Sequence, residues 1–252
     1  MPEKLLGFVM VLTRISAFFL LIPVFGWKSI PVVIKVAVAM LLSIFFSSKA
    51  ALVISDRIGS PGQVSFMEVI LLIANEATYG LALGLVVVLI FSVIKFGGQI
   101  VGMQMGFSMV ELFDPFNNEE TQPMGSLLEM VFIVLFLSAN GHHLFLLIIS
   151  RSFEVFPAGS IPTISVLASG VMKAGSVMFV AGLRLAAPML SAFLLLMIVL
   201  AILARIVPEI NIFFISLPIR VGLGFLMAAI FLPFVFSFVY EFADWMGKLL
   251  PL

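Results

Sequence analysis

The chain is 252 residues long, 63% hydrophobic and 10% charged, with a mean hydropathy of +1.29. A soluble domain is about 45–50% apolar and about 25% charged, so this is an integral membrane protein or one that lives inside a membrane-like assembly. Thirteen Lys and Arg balance thirteen Asp and Glu and no cysteine is present, which argues against nucleic-acid binding and excludes disulfides, thiol catalysis and thiolate metal sites.

A membrane span needs about 20 mostly apolar residues. Candidates in chain order are 5–25, 31–48, 66–96, 127–150, 170–204 and 212–240, which predicts an all-α, polytopic membrane protein built from helical hairpins. The first follows Lys4, carries Arg14 and lacks a small-residue cleavage site, so it reads as a retained helix and not a signal peptide. Pro23, Gly26 and Pro31 mark the first turn, and Asp56 to Gly62 the second. Pro157, Gly159 and Pro162 mark the fourth, Pro208 and Asn211 the fifth.

Two segments exceed a simple crossing. The third runs about 30 residues and flows into a glycine-rich stretch with no breaker before Gly97; the fifth, about 35 residues, contains Pro188. Tilt absorbs part of such an excess, and long helices rising beyond the membrane are the other explanation. The texture of the chain also changes near residue 165, with most turns and polar positions before it and one helical hairpin about Pro208 after it.

The stretch GGQIVGMQMGFSMVELFDPFNNEETQ, Gly97 to Gln122, departs from the apolar pattern. Gly98, Gly102 and Gly106 are four apart, so on a helix they form one narrow face that admits another backbone. Gly80 lies eighteen residues before Gly98, five helical turns, so on a continuous helix Gly80, Gly84, Gly98 and Gly102 share one side. A soft group follows: Met103, Met105, Met109, Leu112, Phe113 and Phe116, interleaved with Glu111 and Asp114. Pro115 is expected to end any helix at about Asp114 and Asn117 to Gln122 to be loop. Methionine is flexible enough to seal an irregular gap and reopen, so Met105, Met109, Leu112, Phe113 and Phe116 form the candidate plug of a passage.

Arg14, Lys35, Glu68, Glu76, Lys95, Arg184 and Arg220 lie within or at the ends of apolar segments. A charge at the bilayer centre costs at least about 2.5–3.5 kcal/mol, so these residues need partners or water. Proton-coupled transport would explain Glu68 and Glu76; structural ion pairs between helices explain them equally well. A secondary transporter should also show matching repeats with interrupted helices, and none is visible. His142 and His143 are adjacent and point about 100° apart on a helix, which makes no two-ligand metal face. No phosphate-binding glycine loop and no G-x-S-x-G is present, so the sequence offers no enzyme, no metal site and no cofactor site.

Three ordered blocks resemble the FliR family, the R subunits of the flagellar type III export gate, and their injectisome counterparts. The first runs through Arg14, Pro23, Ile30, Pro31 and Lys35. The second runs through Glu76, Gly80, Gly84, Gly98, Gly102, Gln104, Gly106, Asp114, Pro115 and Asn140 to His142, with His143 as an extra histidine. The third runs through Pro188, Arg205, Pro208, Asn211, Pro218 and Gly222. The resemblance covers essentially the whole length. It implies long tilted helices packed in a helical export-gate assembly in the bacterial inner membrane at the flagellar basal body. It implies one such subunit per gate beside P-like and Q-like subunits, other membrane components of the export apparatus and unfolded export substrates. It further implies a P-like part over 1–165, a Q-like hairpin over 166–252, and a plug loop over about Gly106 to Gln122.

Overall fold

Every described element is helical, and no strand occurs among the described residues. The structure is a computed structural model that describes residues 2–22, 31–57, 66–108, 122–160, 164–209 and 211–249. The helices are α1 (Pro2–Leu21), α2 (Val32–Arg57), α3 (Phe66–Met105), α4 (Pro123–Ser138), α5 (His142–Val155), α6 (Ile164–Ile206) and α7 (Ile212–Leu249).

The overlong third and fifth segments are single helices of 40 and 43 residues. No proline interrupts α3, and its apolar residues go all the way round, the pattern of a helix enclosed by protein or lipid. α6 contains Pro188, and α7 contains Pro218 and Pro233.

The count of six spans needs correction. Among the described residues, three helices are long and apolar enough to cross a membrane: α3, α6 and residues 212–233 of α7. The fourth expected span, 127–150, is two helices, which reach spanning length only as a pair. Asn140 breaks it by taking φ 58, a left-handed conformation that Asn tolerates better than most side chains. The apolar portions of α1 and α2, Leu5–Leu21 and Val32–Ser47, are shorter than a span.

The described residues fall into two compact units, and α3, α6 and α7 each contribute to both. In the unit formed by residues 1–90, 140–175 and 242–252, α1 packs against α2. α1 buries Met10, Val11, Arg14, Ile15 and Phe18, at the 3–4-residue spacing of one helix face. Phe18 meets Phe145 of α5 edge to face at 6.4 Å, and Phe46 of α2 stacks on Phe153 at 6.0 Å. Tyr79, Leu83, Val86, Val87 and Ile90 of α3 complete this core.

In the unit formed by residues 91–139 and 176–241, the core is aromatic. Phe91 of α3 meets Phe132 and Phe136 of α4 at 5.4 and 5.2 Å, and Phe132 meets Phe238 of α7 at 5.9 Å. Between helices in lipid, burying such rings gains little over leaving them in acyl chains, so association depends on close van der Waals contact and hydrogen bonds. That requirement explains why glycines lie along the helix contacts in both units.

Candidate functional site

Two places concentrate chemistry that an apolar helix does not need for its own formation. The first is an ion pair. A Cβ added at Gly80 would collide with the Arg14 carbonyl oxygen and lie 2.8 Å from Ala17 Cβ. One at Gly84 would lie 3.0 Å from the Phe18 carbonyl oxygen and from Leu21 Cβ. The two glycines thus bring α1 and α3 nearly backbone to backbone. One turn before Gly80, this lets Arg14 Nε donate to Glu76 Oε2 at 2.6 Å.

Both residues are buried, Arg14 at 2% and Glu76 at 0% exposure. Arg14 Nη1 also donates to the carbonyl oxygens of Ser152 and Phe156 at 3.1 and 2.9 Å. The remaining oxygen of Glu76, Oε1, accepts from the Gly159 N–H at 2.8 Å. The guanidinium lies over the rings of Tyr79 and Phe153, 4.9 and 4.3 Å from their centroids, a favourable placement for a cation. Arg14 Nη2 and Tyr79 Oη are buried without a hydrogen-bond partner among the described residues. The pair ties α1, α3 and the turn after α5 to one point, with both Glu76 oxygens accepting a hydrogen bond.

The second place is the end of α3. A Cβ at Gly98 would lie 2.8 Å from Gly125 Cα and 3.1 Å from the Met124 carbonyl oxygen, so backbone meets backbone across α3 and α4. Gly102 lies over Met124, with 3.3 Å to its Cβ. The neighbouring Gly97 faces α6, 3.2 Å from the Gly182 carbonyl oxygen. The glycines of α3 therefore serve different neighbours, α1 at Gly80 and Gly84, and α4 at Gly98 and Gly102.

Gly106 departs from the expected face. It lies just past the helix end with φ +92, a conformation glycine adopts at no steric cost. Its N–H bonds to the Met103 carbonyl and the Phe107 N–H to the Gly102 carbonyl, which closes the helix. α3 therefore stops at Met105; Asp114 and Pro115, where any helix was expected to end, lie outside the described residues. A small open pocket, with a cavity volume of about 40 Å³, lies at this point, lined by Gly98, Gly102, Met103, Ser108, Gln122 and Met124 among others. Both stems of the candidate plug, Ser108 and Gln122, border it, and Gln122 Oε1 is buried without a partner among the described residues.

Met105 is fully buried, with its side chain against Gly224 of α7. Met109, Leu112, Phe113, Phe116 and Pro115 lie outside the described residues. Of the charged residues expected in apolar segments, Arg14 and Glu76 are brought together. Lys35 is half-buried, while Glu68 and Arg184 are exposed. Lys95 reaches Glu129 of α4 at 3.6 Å, partly exposed. His142 and His143 stand at the start of α5, exposed, with ring centroids 4.3 Å apart.

Sequence reasoning missed Gly125, Gly182 and Gly224, the partners of the α3 glycines and of Met105. It also missed Ser152, Phe156 and Gly159, which complete the Arg14 site. Gly125 stands alone in its helix, without a second glycine four residues away to signal a face. Ser152 and Phe156 act through carbonyl oxygens, which no side chain announces.

The family described as bacterial export proteins, family 1, matches residues 5–245. The chain belongs to this family. Among similar family members, the flagellar biosynthetic protein FliR of Bacillus subtilis (strain 168) is 30% identical over 237 residues, which cover 92% of this chain and 88% of that protein. FliR of Escherichia coli (strain K12) is 28% identical over 227 residues, 90% of this chain and 84% of that protein. FliR of Aquifex aeolicus (strain VF5) is 26% identical over 234 residues, 92% and 88%. The match runs through every element described above, so both places belong to the shared body of this export family.

Proposed function

We propose that the chain is a non-enzymatic gate subunit of the flagellar type III protein export apparatus in the bacterial inner membrane, where it helps to form and plug the conduit for unfolded export substrates. Residues 1–165 act as a P-like part that includes the plug, and 166–252 as a Q-like hairpin. The partners are P-like and Q-like subunits, with the other export-apparatus membrane components around them. Support for the apparatus comes from family membership over nearly the whole chain, with relatives named flagellar biosynthetic proteins.

The observation that carries the plug is the junction at Gly106. A helix wedged against its neighbours by glycines stops at a left-handed residue, and the chain then enters a run rich in Met, Phe and carboxylates. Lipid would not tolerate Glu111, Asp114, Glu119 and Glu120, so that run belongs against water or protein. Met109, Leu112, Phe113 and Phe116 close the passage by excluding water, as apolar constrictions do in channels. Met105, buried against Gly224, anchors the fixed end.

Deleting residues 108–122 from the co-expressed complex should leave assembly largely intact and raise ion conductance in planar bilayers. An assembled deletion variant as tight as the wild type would remove the plug from this reading, and loss of assembly without leak would make the segment a scaffold.

A further inference from the structure

Arg184 is the one charged residue between Lys173 and Arg205 on α6, and it sits at the middle of that helix, twenty-first of 43 residues. It is exposed, and no ion pair or hydrogen bond reaches it from the described residues. About 20 residues, or about 30 Å, separate it from either helix end, and a charge on an apolar helix of this kind is costly unless something matches it. Four residues on, Pro188 has no N–H, so the Arg184 carbonyl loses its helical donor. One residue therefore presents an unmatched guanidinium and its own unmatched carbonyl. On the same face, Ala187 and Ser191 are exposed and small, a shape that admits a backbone. Bulky Val180 and Leu195 flank them, 65% and 63% exposed.

The chain shows elsewhere how it accommodates such charges: Arg14 is matched by Glu76, and Lys95 by Glu129. We infer that Arg184 is the anchor of a subunit interface, and that the α6 face around Ala187 and Ser191 receives a helix of a neighbouring export-apparatus subunit whose carboxylate pairs with the guanidinium. The inference rests on the proposed membership of an export complex. It adds which face is covered and which charge must cover it. The small residues beside Arg184 favour a helix over a lipid headgroup, which would need no such recess.

The test co-expresses the full chain with the membrane subunits of its export apparatus, extracts the complex in mild detergent and measures its native mass. Arg184→Lys should retain the complex. Arg184→Glu should reduce it at least about tenfold, because it sets two carboxylates against each other. Motile revertants of the Arg184→Glu strain should then include Asp or Glu to Lys or Arg changes in a co-assembled subunit, and these should restore the mass. Such charge-swapped rescue also shows that the variant folds.

Three results would overturn the inference. One is a full-mass Arg184→Glu complex. Another is rescue that never involves an acidic partner position. The third is a full-mass Arg184→Leu complex that has lost only bound anionic lipid. Should the wild-type chain itself join no export subunits, the proposed function fails first, and the two failures are thereby told apart.

Discussion

Replacing Glu76 with alanine isolates the worth of the buried ion pair. The change strands a guanidinium that is 2% exposed, leaving it two carbonyl acceptors and two aromatic faces. It also strips the Gly159 N–H of its acceptor. Breaking a buried pair from one side costs about 3–5 kcal/mol. That is a large part of the 5–15 kcal/mol that ordinarily separates folded from unfolded chains. At about 2–4 °C per kcal/mol for chains of roughly this size, the apparent melting temperature should fall by about 6–20 °C.

The assay is heating of the detergent-extracted complex followed by size-exclusion detection of the intact species. A double variant, Arg14→Met with Glu76→Leu, removes both charges and should recover much of the loss, since apolar replacement of a buried pair is often near neutral. It should stay below wild type. The Phe156 carbonyl and the Gly159 N–H lose partners, whereas the Ser152 carbonyl keeps the Phe156 N–H. A Glu76→Ala variant within about 2 °C of wild type, less than 1 kcal/mol by the same conversion, would refute the reasoning. So would a double variant less stable than Glu76→Ala alone.

Gly98→Ala should destabilise by about 1–3 kcal/mol or more, because the new methyl meets the Gly125 backbone and no side chain can yield. Gly175→Ala is the matched control: nothing lies within 4 Å of its added methyl, so it should be neutral or stabilising by up to about 1 kcal/mol in the same melt. Gly106→Ala should cost about 1–2 kcal/mol through its left-handed backbone. The same change should also disturb the entry to the plug, read as conductance of the assembled complex. Lys95→Ala should shift the melt by less than about 1 kcal/mol, as that pair is long and partly exposed.

Composition made the helical membrane class legible, and the missing breaker before Gly97 made α3 legible as one long rod. Gly80 and Gly84 lie hard against the α1 backbone, and their spacing was readable because glycine at helical period has few other uses. The pairing of Arg14 with Glu76 was not legible. The residues stand 62 apart in sequence, and several other charges in apolar segments were equally available. The stop of α3 at Met105 was not legible because a helix can stop at a single left-handed glycine, which sequence cannot distinguish from a glycine on a packed face. The break at Asn140 escaped for a related reason: hydropathy averages over a window, whereas one residue's φ is enough to end a helix. The division into two compact units was hidden because three of the helices run through both.

The contact between Gly98 and Gly125 also bears on how the sequence can drift. At Gly182 an added methyl would meet the Phe96 ring at 2.6 Å, and a smaller residue at 96 could restore the space. Gly98 and Gly125 are already the smallest residues available on either side, so neither can shrink to accommodate growth in the other. A lineage that enlarges either one can return to the original packing only by reversion or by letting α3 and α4 separate. Ordinary compensatory substitution is closed to it.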